Sequence, residues 1–115
     1  MTHHENLTSE AAVATDRAAR YGKQLASHLG RKATAQWDEE SGRGSIVFGD
    51  DRGRAELLAE DEALVMRVYA APGAEESLEG VLGRHLVRFG SRDELTVSWT
   101  RADGSAGSEQ RLTAD

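Results

Sequence analysis

One pattern occurs twice in this chain, and it constrains the fold more than any other feature. Leu25-Ala-Ser-His28-Leu29-Gly-Arg31 and Leu82-Gly-Arg-His85-Leu86-Val-Arg88 both read L-x-x-H-L-x-R. Thr34-Ala-Gln-Trp37 follows the first and Thr96-Val-Ser-Trp99 the second, each ahead of a turn glycine, Gly42 or Gly104. The two tryptophans, and the two histidines other than His3 and His4, thus take matching places in two half-chains. The repeat predicts an internal duplication about a pseudo-twofold axis.

Size bounds the answer. At 115 residues the chain suits a single domain with a modest core. It has no cysteine, which excludes disulfides and thiolate chemistry and suits a reducing cytoplasm. Met1-Thr-His-His-Glu-Asn lacks a positive region followed by an apolar run, so no secretory signal is expected. No apolar stretch approaches the roughly 20 residues that span a bilayer, so no membrane is expected. With 20 acids against 14 Lys and Arg, a phosphate backbone would be repelled, and nucleic acid is not an expected partner.

Residues 1–8 are polar and aperiodic and are expected to form a disordered tail ahead of one domain, 9–115. Glu10 to Thr15 reads as a short strand. Thr15 or Asp16 offers an oxygen to cap a helix that runs to Leu29, with Ala18, Tyr21, Leu25, His28 and Leu29 on one face. Gly30 stands where a left-handed C-cap is wanted. Four strands follow, around Ala33–Trp37, Ser45–Gly49, Arg54–Ala59 and Leu64–Ala70, joined by hairpin-length turns. A second helix over 74–89 carries the stripe Leu78, Val81, Leu82, His85 and Phe89, with Gly90 in the role of Gly30. Leu95, Val97 and Trp99 alternate in the next strand, and Glu109–Thr113 adds a weak edge. The expected class is α+β: one antiparallel sheet with two helices on one face, built from duplicated β-α-β-β units. That is a two-layer sandwich of TATA-binding-protein-like or helix-grip-like form. Its open face would carry Gln36, Val47, Arg67 and Ser98.

Val13-Ala-Thr15, Arg20-Tyr21, Lys23-Gln-Leu25, His28, Lys32, Asp38-Glu39, His85-Leu86, Arg88-Phe89 and Leu95-Thr-Val97 with Trp99 resemble a bacterial family, domain of unknown function 2218. The resemblance spans about residues 11 to 102. Such domains occur alone or look like appendages to flavin-dependent siderophore-interacting proteins, which implies a link with iron handling. No catalytic residues come with the resemblance. After His28, Leu29-Gly30-Arg31 replaces a stretch that often holds an aromatic and a second histidine, which argues against a metal site at this helix end.

Seven residues are candidates for a site: His28, His85, Trp37, Trp99, Tyr21, Arg31 and Arg88. The bland expectation for the histidines is that both are buried core groups satisfied by the backbone. The alternative follows from the repeat: residues near a twofold axis meet their mates, so the imidazoles would face each other between the helices. Facing imidazoles suit a polar ligand atom, a metal ion or haem iron. Against a metal, Leu82 stands three before His85 where a Glu-x-x-His motif would want Glu. Trp37 and Trp99 fill the core or wall an apolar pocket, and Tyr21 needs a hydroxyl partner. Arg31 and Arg88 compensate helix dipoles or grip an anion. The acidic turns Asp38–Glu40 and Glu60–Glu62 read as solvated tips at one end of the sheet.

No cofactor is expected from these patterns. The reading is a non-catalytic binding or accessory domain, monomeric or homodimeric, for a small apolar or iron-linked ligand or a protein partner. The alternative is a small enzyme, or a metal- or haem-binding protein, using the His28/His85 pair.

Overall fold

A computed structural model describes residues 7–31 and 33–111. It holds β1 (Ser9–Ala14), α1 (Ala18–Leu29), β2 (Thr34–Asp38), β3 (Arg43–Phe48), β4 (Gly53–Ala59), β5 (Ala63–Ala70), α2 (Glu75–Phe89), β6 (Thr96–Arg101) and β7 (Ala106–Arg111). A 3-10 turn, Ser91–Asp93, joins α2 to β6. The strands form one antiparallel sheet in the order β2-β3-β4-β5-β1-β6-β7. Residues 1–6, with His3 and His4, Lys32, and residues 112–115 at the end of the expected edge strand lie outside the described residues.

The inward residues of the sheet follow from strand alternation. Leu64, Met66 and Val68 on β5, Ala55 and Leu57 on β4, and Ile46 and Phe48 on β3 all point to one face. They join Leu25 and Leu29 of α1 and Leu78, Leu82 and Leu86 of α2 in a single buried cluster. Both helices therefore cover the same face, and burying each of the larger side chains contributes about 1.5–3 kcal/mol. The opposite face carries Gln36, Arg67, Ser98 and the half-exposed Val47, as the alternation predicts. Several of its charges pair with one another: Arg67 donates to Glu10 at 2.6 Å, and Arg54 and Tyr69 both donate to Glu56. The turns at Asp38–Glu40 and Glu60–Glu62 do share one end of the sheet, where Ala59 N–H donates to Gly42 O at 2.8 Å.

The strand order does not repeat the duplicated unit. After α2 the chain enters β6, beside the central β1. After α1 it crosses to β2, at the far edge, and returns inward through β3 and β4. An extra strand in the first half leaves the sheet without a sequential twofold. What survives is the antiparallel course of the helices, since each follows one of two antiparallel strands, β1 and β5.

Several local expectations are corrected. Thr8, assigned to the tail, is stitched into the sheet: its N–H donates to Val68 O, and its hydroxyl and carbonyl accept from Ala70 and Ala102. α1 begins later than expected, with no side-chain cap; Thr15 Oγ1 accepts from Arg17 N–H, outside the helix. Gly30 and Gly90 have negative φ and are not left-handed caps. A Cβ at Gly90 would stand 2.3 Å from Leu95 Cδ1, so close packing, not handedness, calls for glycine there. The buried face of α2 is rotated from the expected stripe. Glu79, Gly83, Leu86 and Val87 are buried, while Val81, His85 and Phe89 form a half-buried flank turned toward α1.

Candidate functional site

That flank builds the site. α1 and α2 run antiparallel, and their flanks bring His28 and His85 together with ring centroids 4.9 Å apart and planes tilted by 49°. Phe89 stands edge-on to His28 at 5.3 Å. Neither histidine is a core residue. His28 is exposed and His85 half-buried, because each lies on the rim of its helix stripe rather than its centre. A stripe fixes which side of a helix turns inward, not how far up the flank solvent reaches.

His85 has a defined tautomer. Its Nδ1 lies 2.7 Å from Val81 O, and a carbonyl can only accept, so Nδ1 carries the proton and donates. In the neutral ring Nε2 is then a bare acceptor.

Beside this pair lies a cleft of about 480 Å³. α1 contributes His28 and Leu29, and the following loop Arg31 and Ala33. Phe48 of β3 is its floor; α2 supplies Val81 and His85. Arg52 closes it from the β3–β4 turn, with its guanidinium carbon 5.8 Å from the centre of the Phe48 ring. A groove on the outer side of α1 shares His28 and Arg31 and adds Arg20, Lys23 and Phe89. An apolar floor with convergent polar groups is the usual build of a small-molecule site.

Of the seven candidates, then, His28, His85 and Arg31 meet. The other four do not. Tyr21 is buried and its hydroxyl donates to Asp93 Oδ2 at 2.5 Å; that hydrogen bond, and then burial, raise its pKa above the ordinary tyrosine value. Trp37 is half-buried between α1 and the sheet, against Gly22 and Gly44. Trp99 is buried and its indole N–H donates to Gln110 Oε1 at 2.8 Å. Arg88 is exposed and lines neither depression. Arg52 and Val81 were missed as site residues. Nothing marks a turn arginine in sequence except the hairpin that returns it toward the helix ends.

A second polar cluster lies at the other end of the molecule and was also missed. Glu79 is fully buried, and Arg101 donates to it twice, at 2.7 and 3.0 Å. Ser108 adds its backbone N–H and its hydroxyl, and Gln110 donates to Ser108 Oγ. The buried Ser9 hydroxyl pulls on the same carboxylate more weakly, without hydrogen-bond geometry. Burial is the largest single influence and pushes the Glu79 carboxyl up, but these donors together outweigh it and hold it below its ordinary value. The Glu79 carboxylate spends itself on protein donors, so this cluster joins α2 to β6 and β7; its outer members Ser108 and Gln110 border the groove along β7.

Among the described residues no group of three or more His, Asp, Glu or Cys gathers as a metal donor set. No helix among them is long and apolar enough to cross a membrane.

No curated protein matches the chain. Among solved structures, the NMR structure of PA4090 from Pseudomonas aeruginosa is similar, with 32% identity and a TM-score of 0.61 over 83% of this chain and 96% of that one. A family described as an uncharacterized protein conserved in bacteria, DUF2218, matches residues 10–100, most of the sheet and both helices. The chain belongs to the DUF2218 family.

Proposed function

We propose that this protein is a non-catalytic binding domain that takes a small molecule in the cleft between α1 and α2. One observation carries the reading: a cleft of about 480 Å³ with an apolar floor and two imidazoles converging at its edge. That volume lies in the range of small-molecule sites. The resemblance alone adds iron-linked molecules to the ligands to be tested. The lack of cysteine supports a cytoplasmic setting.

NMR screening of a fragment mixture tests it. Amide signals of Leu29, Ala33, Phe48, Val81 and His85 should move together. Val81→Phe, which fills the cleft, should abolish the response. Shifts confined to the open sheet face, or none at all, refute the reading.

A second reading, an acid–base or metal-assisted catalyst on the same pair, has the fixed tautomer of His85 in its favour. An ion there would take two donors from the protein and the rest from its ligand. Chemical conversion of a bound fragment, lost in His85→Gln, would favour this reading over the first.

A further inference from the structure

We infer that the ligand of this cleft is a flat aromatic anion; the inference rests on the binding reading above and names the class of molecule. The sign of the cleft is the first argument. The chain as a whole has six more acids than Lys and Arg. Yet the cleft is lined by Arg31, Arg52 and two histidines, and by no acid. The outer groove that shares Arg31 adds Arg20 and Lys23 and likewise has no acid. Elsewhere the signs are mixed or negative: the open sheet face sets Arg43 and Arg67 beside Asp38 and Glu56, the groove along β7 sets Arg84 and Arg111 beside Glu76 and Glu109, and the hollow at the β4–β5 turn carries Glu60, Asp61 and Glu62.

The second argument is the state of the two arginines. Arg54, Arg67 and Arg101 each hold a carboxylate. Among the described residues no carboxylate pairs with Arg31 or Arg52. The acids next to Arg52 in its own turn, Asp50 and Asp51, do not line the cleft. Arg52 spends its Nε on Gly49 O at 3.3 Å, which leaves its two terminal nitrogens directed as a fork. A guanidinium that no described carboxylate neutralises, set over an apolar floor, is a site for a planar anion, which it binds through two parallel hydrogen bonds.

The third argument is shape. The floor is the Phe48 ring, and one wall is the tilted pair of imidazoles, His28 and His85; Phe89 stands edge-on to His28 from the neighbouring groove. Aromatic surfaces offer offset and edge-on contacts that a flat ring completes and a puckered one does not. The ligand's anionic group goes to Arg31 and Arg52, and its ring goes between Phe48 and the imidazoles.

The test uses three probes on the full chain, followed by NMR: 2-naphthoate, 2-naphthylmethanol and cyclohexanecarboxylate. Naphthoate should shift the cleft amides. The neutral alcohol and the puckered acid should each bind at least about tenfold more weakly, roughly one charge-assisted contact or one ring contact. The double variant Arg31→Gln/Arg52→Gln should cut naphthoate affinity about tenfold or more and leave the alcohol unchanged. Arg88→Gln, outside the cleft, should leave naphthoate binding intact. If the alcohol binds as tightly as naphthoate, anion recognition is wrong while the binding reading stands. If cyclohexanecarboxylate matches naphthoate, the flat-ring requirement is wrong. If no probe moves the cleft amides, both this inference and the binding reading fall.

Discussion

Trp37 and Trp99 stand in matching sequence contexts, yet the two ends of the molecule hold them by different physics. Trp99 is buried under α2 and tied by hydrogen bonds through Gln110 and Ser108 to the Glu79–Arg101 pair. Trp37 is half-buried and has no such network among the described residues. It sits where side chains are missing: a Cβ at Gly22 would lie 2.7 Å from its ring, and one at Gly44 2.6 Å. One end is fastened by directed polar contacts and the other by shape. The edges differ accordingly. β7 is pinned to α2, while β2 contacts α1 mainly through apolar surface. Equal letters in a repeat set equal positions along a strand; the neighbours decide what each position becomes.

The largest expected effect strikes the fastened end. Arg101→Ala leaves the buried Glu79 carboxylate without its cation. The cost should be about 3–5 kcal/mol by urea unfolding, the usual result of stranding a buried charge. A cost below about 1 kcal/mol would show that water or Ser108 replaces the guanidinium, and the contrast between the ends would fail.

Two substitutions of middle size cross the comparison. Trp99→Phe removes the indole N–H and leaves Gln110 Oε1 without a donor inside the protein, at about 1–3 kcal/mol. Trp37→Phe should cost less, because no hydrogen bond is lost and part of the ring is already wet. Gly44→Ala should reverse the order. Its methyl would press on Trp37 and also stand 2.7 Å from Gln36 O, at about 1–3 kcal/mol of overpacking. Thermal unfolding of the three variants would rank them. If Trp37→Phe were the most damaging, shape would not be what holds that end.

How much of this was legible in the residues differs between the ends. Period-two alternation in Leu64, Met66 and Val68 placed the sheet faces, and the stripes placed both helices on one of them. The repeat brought His28 and His85 together, although the twofold behind it does not order the strands. Glu79 was not legible as buried. A glutamate in a helix reads as solvated, and its partners, Arg101 and Ser108, are 22 and 29 residues away. Gly80 and Gly83 held the only clue, since glycines on one helix side allow close approach; a Cβ at Gly83 would strike Gln110 at 2.0 Å. The cleft was half legible: the histidines came from the repeat, but Arg52 depends on how a hairpin tip meets a helix end.

Acid sharpens the comparison further. Glu79 is held below its ordinary value of 4.5, so in acid the unfolded chain takes up a proton before the folded one does. Its contribution is therefore complete above that value and is lost as pH falls through the lower folded value. Stability measured by urea unfolding should fall below about pH 4.5, and Glu79→Gln should flatten that limb. At the other end the Ser41 hydroxyl and the Glu40 N–H also lower Asp38, but that group is exposed and solvent screens it. Asp38→Asn should leave the limb nearly as it was. An acid limb that moved with Asp38 and not with Glu79 would invert the assignment.

The smallest effect tests the counterpart of the buried pair. Lys23 Nζ lies 3.0 Å from Glu39 Oε1 and joins α1 to the β2–β3 turn, as Arg101 and Glu79 join β6 to α2. The distances are alike; the surroundings are not. Both side chains of the Lys23 pair are more than half exposed, whereas Glu79 is wholly buried. In water the attraction is weak and the long side chains lose freedom to make it, so Lys23→Ala should cost about 0–1 kcal/mol. Salt supplies the control. Near 1 M sodium chloride, where the screening length is about 3 Å, the remaining cost should vanish, while that of Arg101→Ala should persist because the buried pair is poorly screened. A salt-resistant loss above about 2 kcal/mol for Lys23→Ala would mean that the Trp37 end is fastened by charge after all, and that the two ends share one physics.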